Sequence, residues 1–270
     1  MHAHKESLLP ENKSWKLIWN DEFDGKVLDD TKWMYRRGIM QKMHPGLCFD
    51  GAEPDGHSHL LLKLGKENNR FCSPQLQTGE NFMDRAPLKS NDPFHWKFQW
   101  PIAELCIPKF MHRYGYYEIR CKFQTKPGWW SAFWLQSPIN GALPNPGEAG
   151  VEVDIMENFT RDGKFSHNLH WNGYGKDYKG TGSGPRFHKK DPNGFHVYGV
   201  DWNKDGYLFY VDGVESWRFN EVVSHRDQFI YVSTECIGYR QAGKACGELV
   251  DSSVGDSFTV DYIRVFDEVK

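Results

Sequence analysis

The sequence predicts an all-β fold, a sandwich of antiparallel sheets, on three observations. Few segments carry a helical hydrophobic period of any length. Short runs of alternating or aromatic-rich residues recur instead, closed by Gly, Pro, Asn and Asp. Aromatic residues are abundant, with 11 Trp, 12 Tyr and 18 Phe in 270 residues, and such side chains favour strands and bury large areas.

The predicted strands follow in chain order. WKLIWNDEF (15–23), HSHLLLKLG (57–65), YGYYEIRCKF (114–123), SAFWLQS (131–137) and VEVDIMENF (151–159) come first. FSHNLHW (165–171), HVYGVDWN (196–203), GYLFYVDG (206–213), FIYVSTECI (229–237) and FTVDYIRVF (258–266) complete the set. NKDG at 203–206 and VDGVE at 211–215 are tight-turn signals with Gly where a positive φ is wanted. Ten strands without crossover helices argue for antiparallel pairing. Two long segments, 79–101 and 172–194, are rich in Gly, Pro, Asn and aromatics and read as walls of a binding cleft. No composition break marks a linker, so residues 1–14 read as an N-terminal extension and 15–270 as a single domain.

A formal net charge of −3 with 26% charged residues gives no bulk-charge support to a nucleic-acid or membrane-surface partner. No apolar run is long enough to span a bilayer. The N-terminal residues contain no apolar stretch of the signal-peptide kind. The six cysteines (Cys48, Cys72, Cys106, Cys121, Cys236, Cys246) form no CxxC pair, which argues against a zinc ribbon. One or two disulfides and buried free thiols are both compatible with their spacing.

The chemistry concentrates in VEVDIMENF. Alternation puts Glu152 and Asp154 on one face, whereas Glu157, five residues from Glu152, falls on the other. A charged edge strand would mix lysine or arginine with its acids, yet residues 151–160 hold no basic residue. Like charges this close raise at least one pKa, the condition found where carboxylates are used. A calcium site would place its oxygens on an Asp/Asn/Gly turn, and here the spacers are Val, Ile and Met. Paired carboxylates for glycoside hydrolysis fit better, since a retaining pair stands about 5–5.5 Å apart, close to an i, i+2 separation. A β-bulge between Asp154 and Glu157 would return Glu157 to the face of the other two. Asp154 would then hold one neighbour by a hydrogen bond while one glutamate stays ionised and the other protonated.

Glu152-Val-Asp154-Ile-Met-Glu157 resembles the E-x-D-x-x-E signature of glycoside hydrolase family 16, which includes laminarinases, agarases, porphyranases and carrageenases. The bulge-free E-x-D-x-E form belongs to lichenases and xyloglucan-active members. WNDEFDGKVLDDTKW (19–33) is similar to the family's opening strand and turn, YGYYEIRCKF and GWWSAFWLQS to the strands before the catalytic one, and FTVDYIRVF to its closing strand. The resemblance implies a concanavalin A-like β-jelly roll with a concave substrate cleft. It implies Glu152 as nucleophile, Glu157 as acid/base and Asp154 as the residue that tunes them. It also implies a secreted, periplasmic or cell-surface protein, with no cofactor needed for catalysis and a structural calcium ion allowed. The expected partner is a polysaccharide or oligosaccharide, with no nucleic acid and a monomeric state.

Candidate cleft residues follow from the same strands. Trp130 and Trp134 share one side of their strand, with core packing as the competing reading for Trp134; Trp129 reads as loop rim. Asn168 and His170 share a face, His170 reading either as a partner of the acid row or as a satisfied structural histidine, and Trp171 at the strand end reads as a sugar platform. Tyr231, Ser233 and Glu235 share a face of YVSTECIGY, where laminarinase-like members carry an Asn-x-Ala-like stretch and agarase-like members an acid, so Glu235 is a candidate hydroxyl contact. Arg37, beside Arg36, suits a hydroxyl or a sulfate. The expected activity is endo-acting and retaining, with a slight preference for a β-galactan of the agar, porphyran or carrageenan type. An endo-β-1,3-glucanase is the alternative, and a non-catalytic carbohydrate-binding jelly roll or a calcium-dependent adhesive domain are the readings of other classes.

Overall fold

The computed structural model describes residues 4–39, 44–85, 105–158, 163–188, 191, 194–237 and 248–269. Cys246, Phe159 and residues 86–101 of the first long segment lie outside the described residues.

The first strands in chain order are β1 (Ser14–Asp21), β2 (Met34–Tyr35), β3 (Leu47–Cys48), β4 (Ala52–Pro54), β5 (Leu60–Lys63) and β6 (Gly65–Glu67). Then come β7 (Arg70–Gln77), β8 (Gly115–Lys122), β9 (Trp130–Gln136), β10 (Glu152–Asn158), β11 (Ser166–Trp171) and β12 (Lys179–Gly182). The chain closes with β13 (His196–Asn203), β14 (Gly206–Val211), β15 (Val214–Phe219), β16 (Phe229–Glu235) and β17 (Ser257–Val269). Among the described residues the only α-helix is the four-residue Pro146–Ala149 turn, so no helix is long and apolar enough to cross a membrane.

The strands form two facing sheets. One has eight strands in the order β15-β14-β13-β8-β17-β5-β4, with β1 added on β17. The other has nine, in the order β12-β11-β10-β9-β16-β7-β2, with β3 and β6 added on β7. Pairing is antiparallel except for the short β3–β7 contact. Between the sheets lies one core: Tyr117, Ile119, Val200, Phe209 and Ile263 from the first sheet meet Leu76, Phe133, Val153, Leu169 and Val232 from the second. Alternate residues of each strand supply it, the pattern of a sheet with one dry inner face.

All ten predicted runs contain a strand, with ends shifted by a few residues. The β14–β15 turn has Asp212 at φ 51° and Gly213 at φ 77°, the two consecutive positive values that VDG anticipates. β7 has no counterpart among the predicted strands, because Pro74 and the polar Gln75 and Gln77 disguise it; it nevertheless pairs with β16 on one side and β2 on the other. β12 and β15 emerge from stretches that read as loop and turn. Residues 4–13 lie along the outer face of the eight-stranded sheet: the Leu8 N–H donates to Glu118 Oε2 at 2.9 Å, and the Tyr116 hydroxyl donates to the Leu8 carbonyl at 3.3 Å. The five described cysteines are free thiols, Cys48, Cys72, Cys121 and Cys236 buried and Cys106 partly so.

The inner face of the nine-stranded sheet is fully committed to the core. Its outer face carries the polar and aromatic residues considered next.

Candidate active site

β10 contains one residue too many for its neighbours. Against β9, Asp154 pairs with Trp134, but Met156 pairs with Phe133 and Glu157 with Ala132, leaving Ile155 extra. The register against β11 shifts in the same interval. Ile155 and Met156, adjacent in sequence, are both fully buried in the core together with Val153. Two consecutive inward residues reset the alternation, so Glu157 emerges on the face of Glu152 and Asp154. All three acids line one cavity of about 410 Å³ on the outer face of the sheet.

Each acid has its own partners. Glu152 Oε2 accepts a hydrogen bond from Gln136 Nε2 at 2.9 Å and another from the Tyr174 hydroxyl. Asp154 Oδ2 stands 3.2 Å from His170 Nε2, and the other ring nitrogen of His170 lies 2.6 Å from the Tyr178 hydroxyl. Glu157 Oε2 accepts from Asn168 Nδ2 at 2.5 Å. These links run diagonally across the β10–β11 ladder: His170 is paired with Glu152 but reaches Asp154, and Asn168 is paired with Asp154 but reaches Glu157. Burial, helped by the charges of Asp154 and Glu157 and opposed by His170 and Arg36, pushes the Glu152 carboxyl up to about 8. The row therefore retains a proton that isolated carboxylates would have released.

Glu152, Asp154 and His170 offer ligand atoms within 4.8 Å of one another, the spacing of a metal site. Two carboxylates and one imidazole are a poor donor set for calcium, which prefers six to eight oxygens. The close His170–Asp154 contact already occupies the atoms a metal would need.

The opposite wall is aromatic and carries one cation. Trp134 stacks on Tyr231 with ring centroids 3.8 Å apart and donates from Nε1 to Ser233 Oγ at 2.9 Å. The Arg36 guanidinium lies over Tyr231, 4.6 Å from its centroid, and grips Asp84 with two hydrogen bonds of 2.7 and 3.0 Å. Trp130, partly exposed, sits directly across the ladder from Glu235 on β16.

Of the residues expected from the sequence, Glu152, Asp154, Glu157, Trp130, Trp134, His170 and Glu235 line the cavity, and Asn168 stands behind Glu157. Three expectations are corrected. Trp171 is not a platform: with His170 facing the cavity, the next side chain turns inward, where it packs against the core beside Phe219. Arg37 points away from the cavity, exposed and over Phe49; its neighbour Arg36 is the cleft arginine. Trp129 is likewise no rim residue, being 2% exposed in a small cluster with Leu249 and Cys236. Replacing Trp171 with alanine is expected to cost about 2 kcal/mol of stability for a partly buried indole, while KM stays within about twofold. Thermal melts beside steady-state kinetics check this.

Sequence reasoning missed Gln136, Asp84, Tyr174 and Tyr178 as cavity residues. The last three come from the two long segments that read as cleft walls, so the signal located the walls but not the side chains.

Residues 104–236, which include the acid row, match the family model of glycosyl hydrolases family 16. Glucan endo-1,3-beta-glucosidase A1 of Niallia circulans is 24% identical over 96% of the chain and 39% of its own length. Keratan-sulfate endo-1,4-beta-galactosidase of Sphingobacterium multivorum is 25% identical over 93% of the chain and 55% of its own length. Kappa-carrageenase of Pseudoalteromonas carrageenovora is 32% identical over 58% of the chain and 44% of its own length. The chain thus spans less than two thirds of each of these relatives. Among solved structures, the catalytic domain of an endo-1,3-beta-glucanase (laminarinase) from Thermotoga petrophila RKU-1 superposes with a TM-score of 0.69 at 21% identity, covering 96% of this chain and 100% of that one. The two-sheet sandwich is a β-jelly roll of that kind, its cleft on the outer face of the nine-stranded sheet. The bulged acid row lies inside the matched segment, so residues 104–236 are identified with glycosyl hydrolases family 16, with a jelly roll of the same kind around them.

Proposed function

We propose that the protein is an endo-acting, retaining β-glycoside hydrolase that cuts within a polysaccharide. The observation that carries this reading is the bulge at Ile155, which places Glu152, Asp154 and Glu157 in one cavity although their sequence spacing is out of phase.

In the first step Glu157 gives its proton to the glycosidic oxygen as Glu152 attacks the anomeric carbon. The sugar–oxygen bond breaks, the shortened chain leaves as an alcohol, and a glycosyl ester forms on Glu152. Gln136 and Tyr174 hold Glu152 Oε2, which leaves Oε1 for the attack. In the second step the Glu157 carboxylate takes a proton from water as that water displaces Glu152, with net retention. Asp154, braced by His170, sits between the two glutamates in the row and biases where the shared proton resides. A silent binding module would have no use for this row. Catalysis requires no cofactor; a structural calcium ion elsewhere would be a bystander.

For the substrate, the acid at position 235 and the galactan-cleaving names among the relatives favour a β-galactan. Glucan endo-1,3-beta-glucosidase A1, matched over 96% of the chain, supports an endo-β-1,3-glucanase as the second reading. Residues 15–270 would form the catalytic domain, residues 1–14 its N-terminal extension, and the protein would act as a monomer outside the cytoplasm or at the cell surface.

The test is product analysis on laminarin, lichenan, agarose, porphyran, carrageenan and mucin-type glycans, each with and without chelator. Internal cleavage of at least one glycan, with a β-configured new end and no effect of chelator, is the expected result. Inverted products, or activity abolished by chelator, would overturn the mechanism.

A further inference from the structure

We infer that His167, buried on the core side of β11, is a positioning residue for Glu157: its Nδ1–H holds the carbonyl of the bulged residue Ile155 and so turns the acid/base toward the cleft. The catalytic half of this statement rests on the hydrolase reading and adds to it a group that never meets the sugar.

The register puts His167 at the bulge. Asp154 pairs with Asn168 and Glu157 with Ser166, so Ile155 and Met156 together face one residue of β11, which is His167. Its side chain is 0% exposed and points into the core, while Asn168 and His170 alternate onto the cleft side. Nδ1 lies 2.6 Å from the Ile155 carbonyl oxygen, and Nε2 lies 3.1 Å from Ser216 Oγ on β15. A carbonyl only accepts, so the ring hydrogen is on Nδ1, and Nε2 of the neutral ring takes the serine hydroxyl hydrogen. Burial keeps the ring neutral by pushing its pKa down to about 4. The imidazole stacks on Phe209 of the other sheet with centroids 4.9 Å apart and meets Phe165 edge-on at 5.6 Å. With both nitrogens engaged and two aromatic neighbours, the ring has one orientation.

This contact governs where Glu157 points. The Ile155 carbonyl belongs to the peptide joining Ile155 to Met156, the step at which two consecutive side chains enter the core. A peptide is planar, so holding its oxygen fixes the direction in which the chain leaves toward Glu157. Restored alternation would send Glu157 into the core instead. Packing alone does not account for the residue type. His167 alternates with Phe165 and Leu169 of the core, where an aliphatic side chain would carry no desolvation cost. Ser216 belongs to the eight-stranded sheet, so the bulge is tied across the core to a strand it does not pair with.

Two substitutions separate anchoring from packing. His167→Leu fills the space without a donor, whereas His167→Asn is smaller but places an amide N–H where Nδ1 stood. On laminarin and agarose, His167→Leu should lower kcat by about 10–100-fold with KM within about twofold, the loss expected when an acid is displaced by about 1 Å. His167→Asn should recover to within about fivefold of wild type although it packs less well. The dinitrophenyl β-glycosides of laminaribiose and neoagarobiose have a leaving group that needs no proton. Their burst rate in His167→Leu should stay within about threefold of wild type. Equal losses on glycan and aryl glycoside, an asparagine variant no better than leucine, or leucine kinetics within about twofold of wild type on the glycan would overturn the inference.

Imidazole ¹⁵N NMR and amide exchange test the anchor without turnover. A neutral Nδ1–H ring near pH 6, its signal absent from His167→Asn, is expected; an Nε2–H or charged ring overturns the inference even where His167→Leu does not fold. Amide exchange at Met156 and Glu157 should quicken about tenfold or more in His167→Leu and less in His167→Asn; equal exchange in all three proteins overturns it. Wild type that cuts none of the panel glycans, with ring and exchange as expected, sinks the hydrolase reading and leaves the bulge anchor standing.

Discussion

Replacing Glu152 with glutamine is expected to lower kcat/KM on a polysaccharide by about 10³-fold or more, and at the same time to stabilise the protein. The loss follows from chemistry: an amide cannot form the glycosyl ester. The gain follows from the proton balance of the row. Burial and two neighbouring carboxylates push Glu152 from its ordinary 4.5 up to about 8. Between those values the folded protein holds a proton that the unfolded chain has released, so folding stability falls as pH rises through the window. Glutamine removes this penalty. The stability difference between variant and wild type should therefore be near zero below pH 4.5 and grow toward pH 8, reaching on the order of 2–4 kcal/mol. Melts of both proteins at pH 4.5, 6 and 8 measure it. A constant offset, or a variant less stable at pH 8, would refute the electrostatic account while leaving the catalytic role to the kinetics.

How much of this is legible in the sequence depends on how local the cause is. The phase error between Glu152 and Glu157 is contained in six residues, and it predicts both the bulge and the shared face. The same rule of alternation, carried one residue past His170, turns Trp171 inward; its place at a strand end obscures that. β7 is hidden because its sequence mixes Pro74, buried polar residues on the cleft side and only Leu76 in the main core. Its strand state is imposed by β16, more than 150 residues later. The Arg36–Asp84 grip joins positions 48 residues apart, and no spacing rule connects them. Tyr174 reaches Glu152 and Tyr178 reaches His170 from a loop whose length and aromatic content mark it as functional without showing which rings point inward. Local periodicity thus finds the catalytic row, while the groups that hold it come from partners chosen by tertiary structure.

Glu157 should show the complementary phenotype. Its position depends on two buried neighbours, Ile155 and Met156, and its Oε2 is held by Asn168 Nδ2 at 2.5 Å. Glu157→Gln keeps that shape and abolishes proton transfer, so hydrolysis of the native glycan should fall by about 10²–10⁴-fold. With an aryl glycoside whose leaving group needs no proton, the first displacement should survive and the glycosyl ester on Glu152 should accumulate as a burst. Added azide, which attacks without general-base help, should then restore turnover in Glu157→Ala and give a product with the configuration of the substrate. In a small-side-chain variant of Glu152, azide instead displaces the leaving group directly and gives the opposite configuration. The two rescue products therefore assign the two carboxylates independently of any rate. If azide restores Glu157→Ala with inversion, Glu157 is the nucleophile and Glu152 the acid/base. If it restores neither variant, the bulge gathers these acids for some purpose other than double displacement.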